Sequence, residues 1–177
     1  MRPLFLLVVV GLLSGCASSY KSRAPEGRSV RLEVPFFPDG TDQCGPSALA
    51  SLLGYWDRPA LPSELRTEIY RANLKGALTV DMLLAAQRRG LSAEMVDGSV
   101  AFAKAELDEG RPVLVFVNVG LRIVPIGHYL VLTGYDENRR SFFAHSGKRR
   151  DLAISYAKLD GQWEKTNRWT LKILPPS

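Results

Sequence analysis

The sequence predicts an α+β domain in which N-terminal helices pack on a C-terminal antiparallel sheet. Three observations predict it. Apolar residues between positions 47 and 108 recur at the i, i+3, i+4 spacing of amphipathic helices. From Pro112 onward the apolar runs are rich in β-branched residues, as in Val113-Leu-Val-Phe-Val117, which reads as buried strand. Helices come first and strands later, so the order is not a βαβ repeat. A chain of 177 residues, 46% hydrophobic and 23% charged, has the length and composition of one globular domain. That excludes a coiled coil, wholesale disorder and a polytopic membrane protein. A formal charge of +5 is too mild to argue for nucleic acid, and none is expected as a partner.

Residues 1–15 read as a targeting segment. Met1-Arg2 is followed by an apolar run from Leu4 to Leu13. In helix that run spans about 15 Å, half the thickness of a bilayer core. It ends in Leu13-Ser14-Gly15-Cys16, which resembles the bacterial lipobox. The resemblance implies that Cys16 is lipidated and anchors the mature chain. Ala17 rather than aspartate follows, which by the same resemblance implies the periplasmic face of the outer membrane. Residues 16–29 are polar without apolar period and read as a tether; the domain is residues 30–177.

Within the domain, Val30–Phe37 alternates and reads as a strand ending near Pro35. Helices are expected over 47–56, 62–74 and 79–89, the last capped by Thr79, and over 100–108. Residues 91–96 suggest a short strand. Buried strands are expected at 112–119, 128–135 and 141–145, with Asp136–Arg140 as the hairpin loop between the last two. Residues 154–165 read as a final helix or an irregular segment, and 168–174 as a closing strand.

Once Cys16 carries lipid, Cys44 has no partner in an oxidising compartment, where exported chains normally pair their cysteines or avoid them. Its surroundings, Asp39-Gly-Thr-Asp-Gln-Cys-Gly-Pro46, are polar and turn-like and run straight into an amphipathic helix. Cys44 is therefore expected at a helix N-terminus, where free N–H groups and the macrodipole favour a thiolate and lower its pKa. The two histidines lie in the strand-rich half. His128 starts a buried strand, and His145 ends the next one. A hairpin between them can bring their ends together, supplying a base and an orienting group to a thiol nucleophile.

Val34-Pro-Phe-Phe-Pro38, Gln43-Cys-Gly-Pro-Ser-Ala-Leu-Ala50 and Gly127-His-Tyr-Leu-Val-Leu-Thr-Gly-Tyr135 together resemble the bacteriocin-processing, double-glycine-leader cysteine peptidases. The resemblance covers about residues 30–174 and implies a papain-like fold, with Cys44 as nucleophile and His128 as general base. Two positions depart from the family. His145 stands where the family has aspartate, so it is expected to orient His128 as a neutral acceptor. Asp39 and Pro38 stand where the family has its oxyanion glutamine, leaving the Cys44 N–H and Gln43 as the oxyanion donors.

These residues imply an exported, lipid-anchored, monomeric thiol peptidase acting on a peptide or protein of the cell envelope. The alternative is a papain-like module that binds an extended peptide without turnover. Zinc suits cysteine and histidine, but the spacings of Cys44, His128 and His145 match no zinc signature, so no metal or other cofactor is expected. The basic group Arg139, Arg140, Lys148, Arg149 and Arg150 reads either as a solvated sheet edge or as a guide for an acidic peptide or surface.

Overall fold

The computed structural model describes residues 27–40 and 43–175. The expected signal segment, Cys16 and most of the tether lie outside the described residues. The elements are β1 (Ser29–Arg31), α1 (Cys44–Tyr55), α2 (Pro62–Ile69), a two-stranded ribbon of β2 (Tyr70–Arg71) and β3 (Gly76–Ala77), α3 (Thr79–Gln87), β4 (Ser92–Asp97), α4 (Val100–Asp108), β5 (Val113–Asn118), β6 (Gly127–Asp136), β7 (Ser141–Ser146), β8 (Arg149–Ser155), α5 (Tyr156–Trp163) and β9 (Trp169–Leu174). The main sheet is antiparallel in the order β4-β9-β5-β6-β7-β8, with β1 laid against the far end of β6.

Helices cover both faces of this sheet. On one face Leu49, Leu52 and Leu53 of α1, Leu65 and Ile69 of α2 and Met82 of α3 pack on Leu114, Val131 and Leu171. On the other, Leu107 of α4 and Leu159 and Trp163 of α5 pack on Val113, Val115, Leu130 and Leu132. β5 and β6 are thus buried on both sides, which is why they read as unbroken apolar runs. Two helices, α4 and α5, take the second face.

Several boundaries differ from expectation for identifiable reasons. The strand expected over 30–37 pairs only through Arg31. Beyond it Leu32 N–H still donates to Thr133 O (2.7 Å), but Val34 N–H turns back to Leu32 O, and Pro35 has no N–H to offer. The second helix ends at Ile69 rather than Leu74, because Tyr70 turns extended to start the small ribbon. Thr79 does not cap α3; Leu78 holds the cap position with no side-chain bond. α4 does have a cap, since Ser99 accepts from the Phe102 N–H at 3.0 Å.

β8 escapes a period-2 reading because it carries a bulge. Ala144 pairs with Leu152 and Ser146 with Arg149, so β8 advances three residues where β7 advances two. The extra residue falls at Asp151, which adopts φ +52°, a left-handed conformation that aspartate tolerates better than most residues.

Candidate active site

Cys44 is the first residue of α1, as its helix-start context predicts. The next residue must be small, because a Cβ at Gly45 would lie 2.8 Å from the Ala77 side chain and 3.5 Å from the Tyr129 ring. Glycine there lets the head of the helix settle onto the start of β6. The thiol is consequently half-buried, and the backbone amide of Tyr129, the residue beside His128, favours its ionised form.

The thiol's pKa runs against the sequence reading. Burial is the largest influence and raises it; the negative charge of Asp39 raises it further. The amides of Tyr129, Gly45 and Cys44 pull it down but do not overcome the other two. Burial and Asp39 thus push the Cys44 thiol toward its protonated form, the direction opposite to the helix-start expectation. The polar segment 39–46 hid the cause: the cysteine itself packs against the apolar core under α1.

His128 is the second residue of β6, opposite Val117 of β5. Its Nε2 lies 2.9 Å from Ser146 Oγ. Which of the two donates depends on the ring's tautomer, and Nδ1 has no hydrogen-bond partner among the described residues. Burial lowers the histidine's pKa, and Asp39 only partly restores it. Thiol and imidazole are each pushed toward the neutral form, the reverse of a preformed thiolate–imidazolium pair.

The structure does not bring His145 to His128. The β6–β7 register sets His145 against Val131, three residues along from His128. His145 is 5% exposed. Its Nε2–H donates to Val34 O (3.0 Å), its Nδ1 accepts from the Asp151 N–H (3.3 Å), and Phe36 packs edge-on at 5.1 Å. Both ring nitrogens are committed, and the ring rivets the 34–36 segment to the β8 bulge. The partner of His128 is Ser146, one residue further along. The signal that could have found it is the Ser146-Gly147 pair itself, a hydroxyl at the mouth of a tight turn where Gly147 takes φ +62°.

Removing the His145 ring should expose this structural role. His145→Ala leaves the buried Val34 carbonyl and the Asp151 N–H unpartnered, at about 1–3 kcal/mol each. Thermal unfolding should show that loss, while the pH profile of Cys44 alkylation keeps its shape. Ser146→Ala should do the opposite: little change in melting temperature, and about a fivefold drop in thiol reactivity toward a peptide electrophile, the worth of one hydrogen bond.

Asp39 stands at the rim. Its N–H donates to Gly147 O (3.1 Å), clipping the 36–40 segment to the β7–β8 turn, and Asp39 shares a small cleft with Cys44, Phe37, Ser47, Tyr129 and His145, so His145 and Cys44 line one cleft. Gln43 precedes α1 without capping it through its side chain, and is half-buried. The Cys44 N–H lies in the unpaired first turn of α1. Among the described residues no group of three His, Cys, Asp or Glu is placed to hold a metal ion, and no helix is long and apolar enough to cross a membrane.

Loop 119–126 joins β5 to β6 just before His128, and its Val119 lines a groove together with His128. Asn118 Oδ1 accepts from the N–H groups of Gly120 and Ile126, both at 2.9 Å, and Val119 N–H donates to Ile126 O. The loop is held firmly, yet Leu121, Ile123, Val124 and Ile126 are 68, 86, 59 and 55% exposed.

A cysteine at a helix head, set against a strand whose second residue is histidine, belongs to the papain-like class of cysteine peptidase folds. The chain is a member of the Peptidase_C39 like family, which it matches over residues 31–170. It is similar in fold to a C39-like peptidase from Bacillus anthracis, with 18% identity, 85% of this chain and 99% of that chain covered, and a TM-score of 0.69. The peptidase domain of Streptococcus ComA, a bifunctional ABC transporter of a quorum-sensing pathway, gives 19% identity, coverage of 78% and 96%, and a TM-score of 0.65. A double glycine motif protease from an AMS/PCAT transporter, solved with its leader peptide, gives 19% identity, coverage of 82% and 94%, and a TM-score of 0.63. No curated protein sequence matches the chain.

Proposed function

We propose that the protein is a lipid-anchored cysteine peptidase of the bacterial cell envelope, with Cys44 as nucleophile and His128 as base. The observation that supports the reading is a half-buried cysteine at the head of α1 that shares a cleft with Tyr129, the chain neighbour of His128, whose Nε2 lies 2.9 Å from Ser146 Oγ. Family membership and the leader peptide bound by the AMS/PCAT relative support an extended peptide as substrate.

The chemistry follows from the neutral pair. As Cys44 Sγ attacks the peptide carbonyl carbon, its proton passes to His128 Nδ1. The carbonyl oxygen takes the negative charge, for which the Cys44 N–H and Gln43 are the proposed donors. His128 returns the proton to the leaving amine as the C–N bond breaks, leaving a thioester on Cys44. Water then gives a proton to His128, attacks the thioester carbon and releases the acid, while the proton returns to sulfur. Throughout, Ser146 holds the ring but adds no negative charge to the imidazolium, so it stabilises that intermediate less than a carboxylate would.

The pH dependence follows with its sign. The reactive form holds a thiol and a free imidazole. It is lost in acid as His128 takes a proton, below the ordinary histidine value of about 6.5, and in base as Cys44 ionises, above the ordinary cysteine value of about 8.5. Peptide hydrolysis should show a broad plateau with limbs outside both values. Simple alkylation by iodoacetamide should instead climb through neutrality, because it needs the thiolate.

One set of observations favours a second reading, a peptide-binding module with little turnover. Asp39 places a negative charge beside the thiol, and among the described residues no carboxylate is hydrogen-bonded to His128. Hydrolysis of a mixed peptide library by the full-length protein, followed by mass spectrometry with Cys44→Ala alongside, separates the two. New termini from the wild type alone support the enzyme; binding without new termini supports the module. The anchor is tested by feeding labelled fatty acid to cells: wild type should carry label and Cys16→Ala should not.

A further inference from the structure

We propose that the groove on the β8–α5 side of His128 selects an acidic side chain of the substrate peptide. The inference rests on the peptide-cleaving reading and adds a specificity to it. The groove has a volume of about 610 Å³ and is lined by His128 and Ser146 at one end, by Leu130, Leu152 and Ile154 along its apolar floor, and by Arg149 and Lys158. None of its lining residues is acidic.

The geometry of the β7–β8 turn delivers the arginine. Ser146 and Arg149 are direct cross-strand partners, so their side chains rise from the same face of the sheet. Ser146 holds the His128 ring at 2.9 Å, which places the root of Arg149 one cross-strand step from the reacting base. Lys158 comes from the first turn of α5, whose position is fixed by Ser155 accepting its backbone N–H at 3.3 Å. Two different elements thus send a cation to one groove.

Both cations are exposed, and among the described residues neither has an ion-pair partner. Their neighbours are neutralised: Arg150 by Glu33 and Asp151, Arg168 by Asp160. A guanidinium and an ammonium converging over an apolar floor match an aspartate or glutamate, with the floor taking the methylenes and an apolar neighbour. β8 is also an edge strand, so its backbone is available to an extended chain, which favours a peptide as the bearer of that carboxylate.

The test separates this specificity from turnover by measuring binding in full-length Cys44→Ala. Three fluorescein-labelled decapeptides of Ala, Leu and Gly differ only in carrying a Glu-Glu pair in the N-terminal half, the same pair in the C-terminal half, or Gln-Gln in both halves. Fluorescence anisotropy at 150 mM salt should give one Glu peptide a Kd about tenfold or more below that of the Gln peptide, the range of charge-assisted hydrogen bonds. The double variant Arg149→Glu, Lys158→Glu should abolish the difference or reverse it. Equal Kd values for all three peptides, or a preference for glutamate that survives the double variant, would overturn the assignment. Either outcome leaves the library hydrolysis test standing, so failure of the specificity and failure of the peptidase reading are read separately.

Discussion

Replacing His128 with alanine is expected to lower kcat/KM for peptide hydrolysis about 10²- to 10⁴-fold, the range for loss of a positioned general base. The size of the effect follows from the state of the thiol. A preformed thiolate attacks without help from a base, so its variants keep much of their acylation rate. Here burial and Asp39 push Cys44 toward its protonated form, and the proton must leave during attack. Without His128 the proton loses its proposed acceptor. KM should move little, because the groove, the loop at 119–126 and the α1 head remain in place. The acid limb of the pH profile should disappear along with the activity, since His128 is the group that titrates there. Asp39→Gln should act in the opposite direction on the thiol. Removing the charge relieves one of the two influences that raise the Cys44 pKa, so iodoacetamide should react several-fold faster at pH 7.

Trp163→Ala is expected to cost about 3–5 kcal/mol, the usual range for deleting a fully buried indole. Trp163 is 0% exposed at the end of α5, and its Nε1–H donates to Trp169 O at 2.9 Å. It locks α5 against β5 and β9, and α5 forms one wall of the acidic-peptide groove. The fit is close: a Cβ added at Gly98 would come within 2.2 Å of the indole ring. For a domain of this size the loss corresponds to a fall in melting temperature of about 10 °C. Differential scanning calorimetry reads it directly, and Gly98→Ala should cause a smaller fall by pressing on the same ring.

The parts of the site that depend on local pattern were legible in the sequence. Cys44 sits at a helix start because the turn-like segment before it and the apolar period after it leave no other place. The strand beginning at Gly127-His128 announces itself by nine residues of nearly continuous apolar character, a consequence of helices on both faces. What depends on register was not legible. Whether His145 or Ser146 reaches His128 is decided by how β7 slides against β6, and that slide includes an irregularity between Leu132 and Gly134. Period-2 reasoning carries no information about a one-residue bulge, yet a bulge exchanges the residues that face a given side. The same blindness hid β8, whose bulge at Asp151 interrupts a charged stretch. The direction of the thiol pKa was illegible for a different reason: helix-end electrostatics can be read from order along the chain, whereas burial depends on what the fold lays over the residue.

The most direct measurement of the central claim, that Cys44 and His128 act as one unit, is a burst titration with an acetylated peptide p-nitrophenyl ester at pH 7. Acylation of Cys44 releases nitrophenolate, and an acid quench fixes the acyl group for mass mapping. The account predicts a burst that maps to Cys44, vanishes in Cys44→Ala, and slows about 100-fold or more in His128→Ala. A burst at Cys44 with the same rate in His128→Ala, or acylation at another residue, would contradict it.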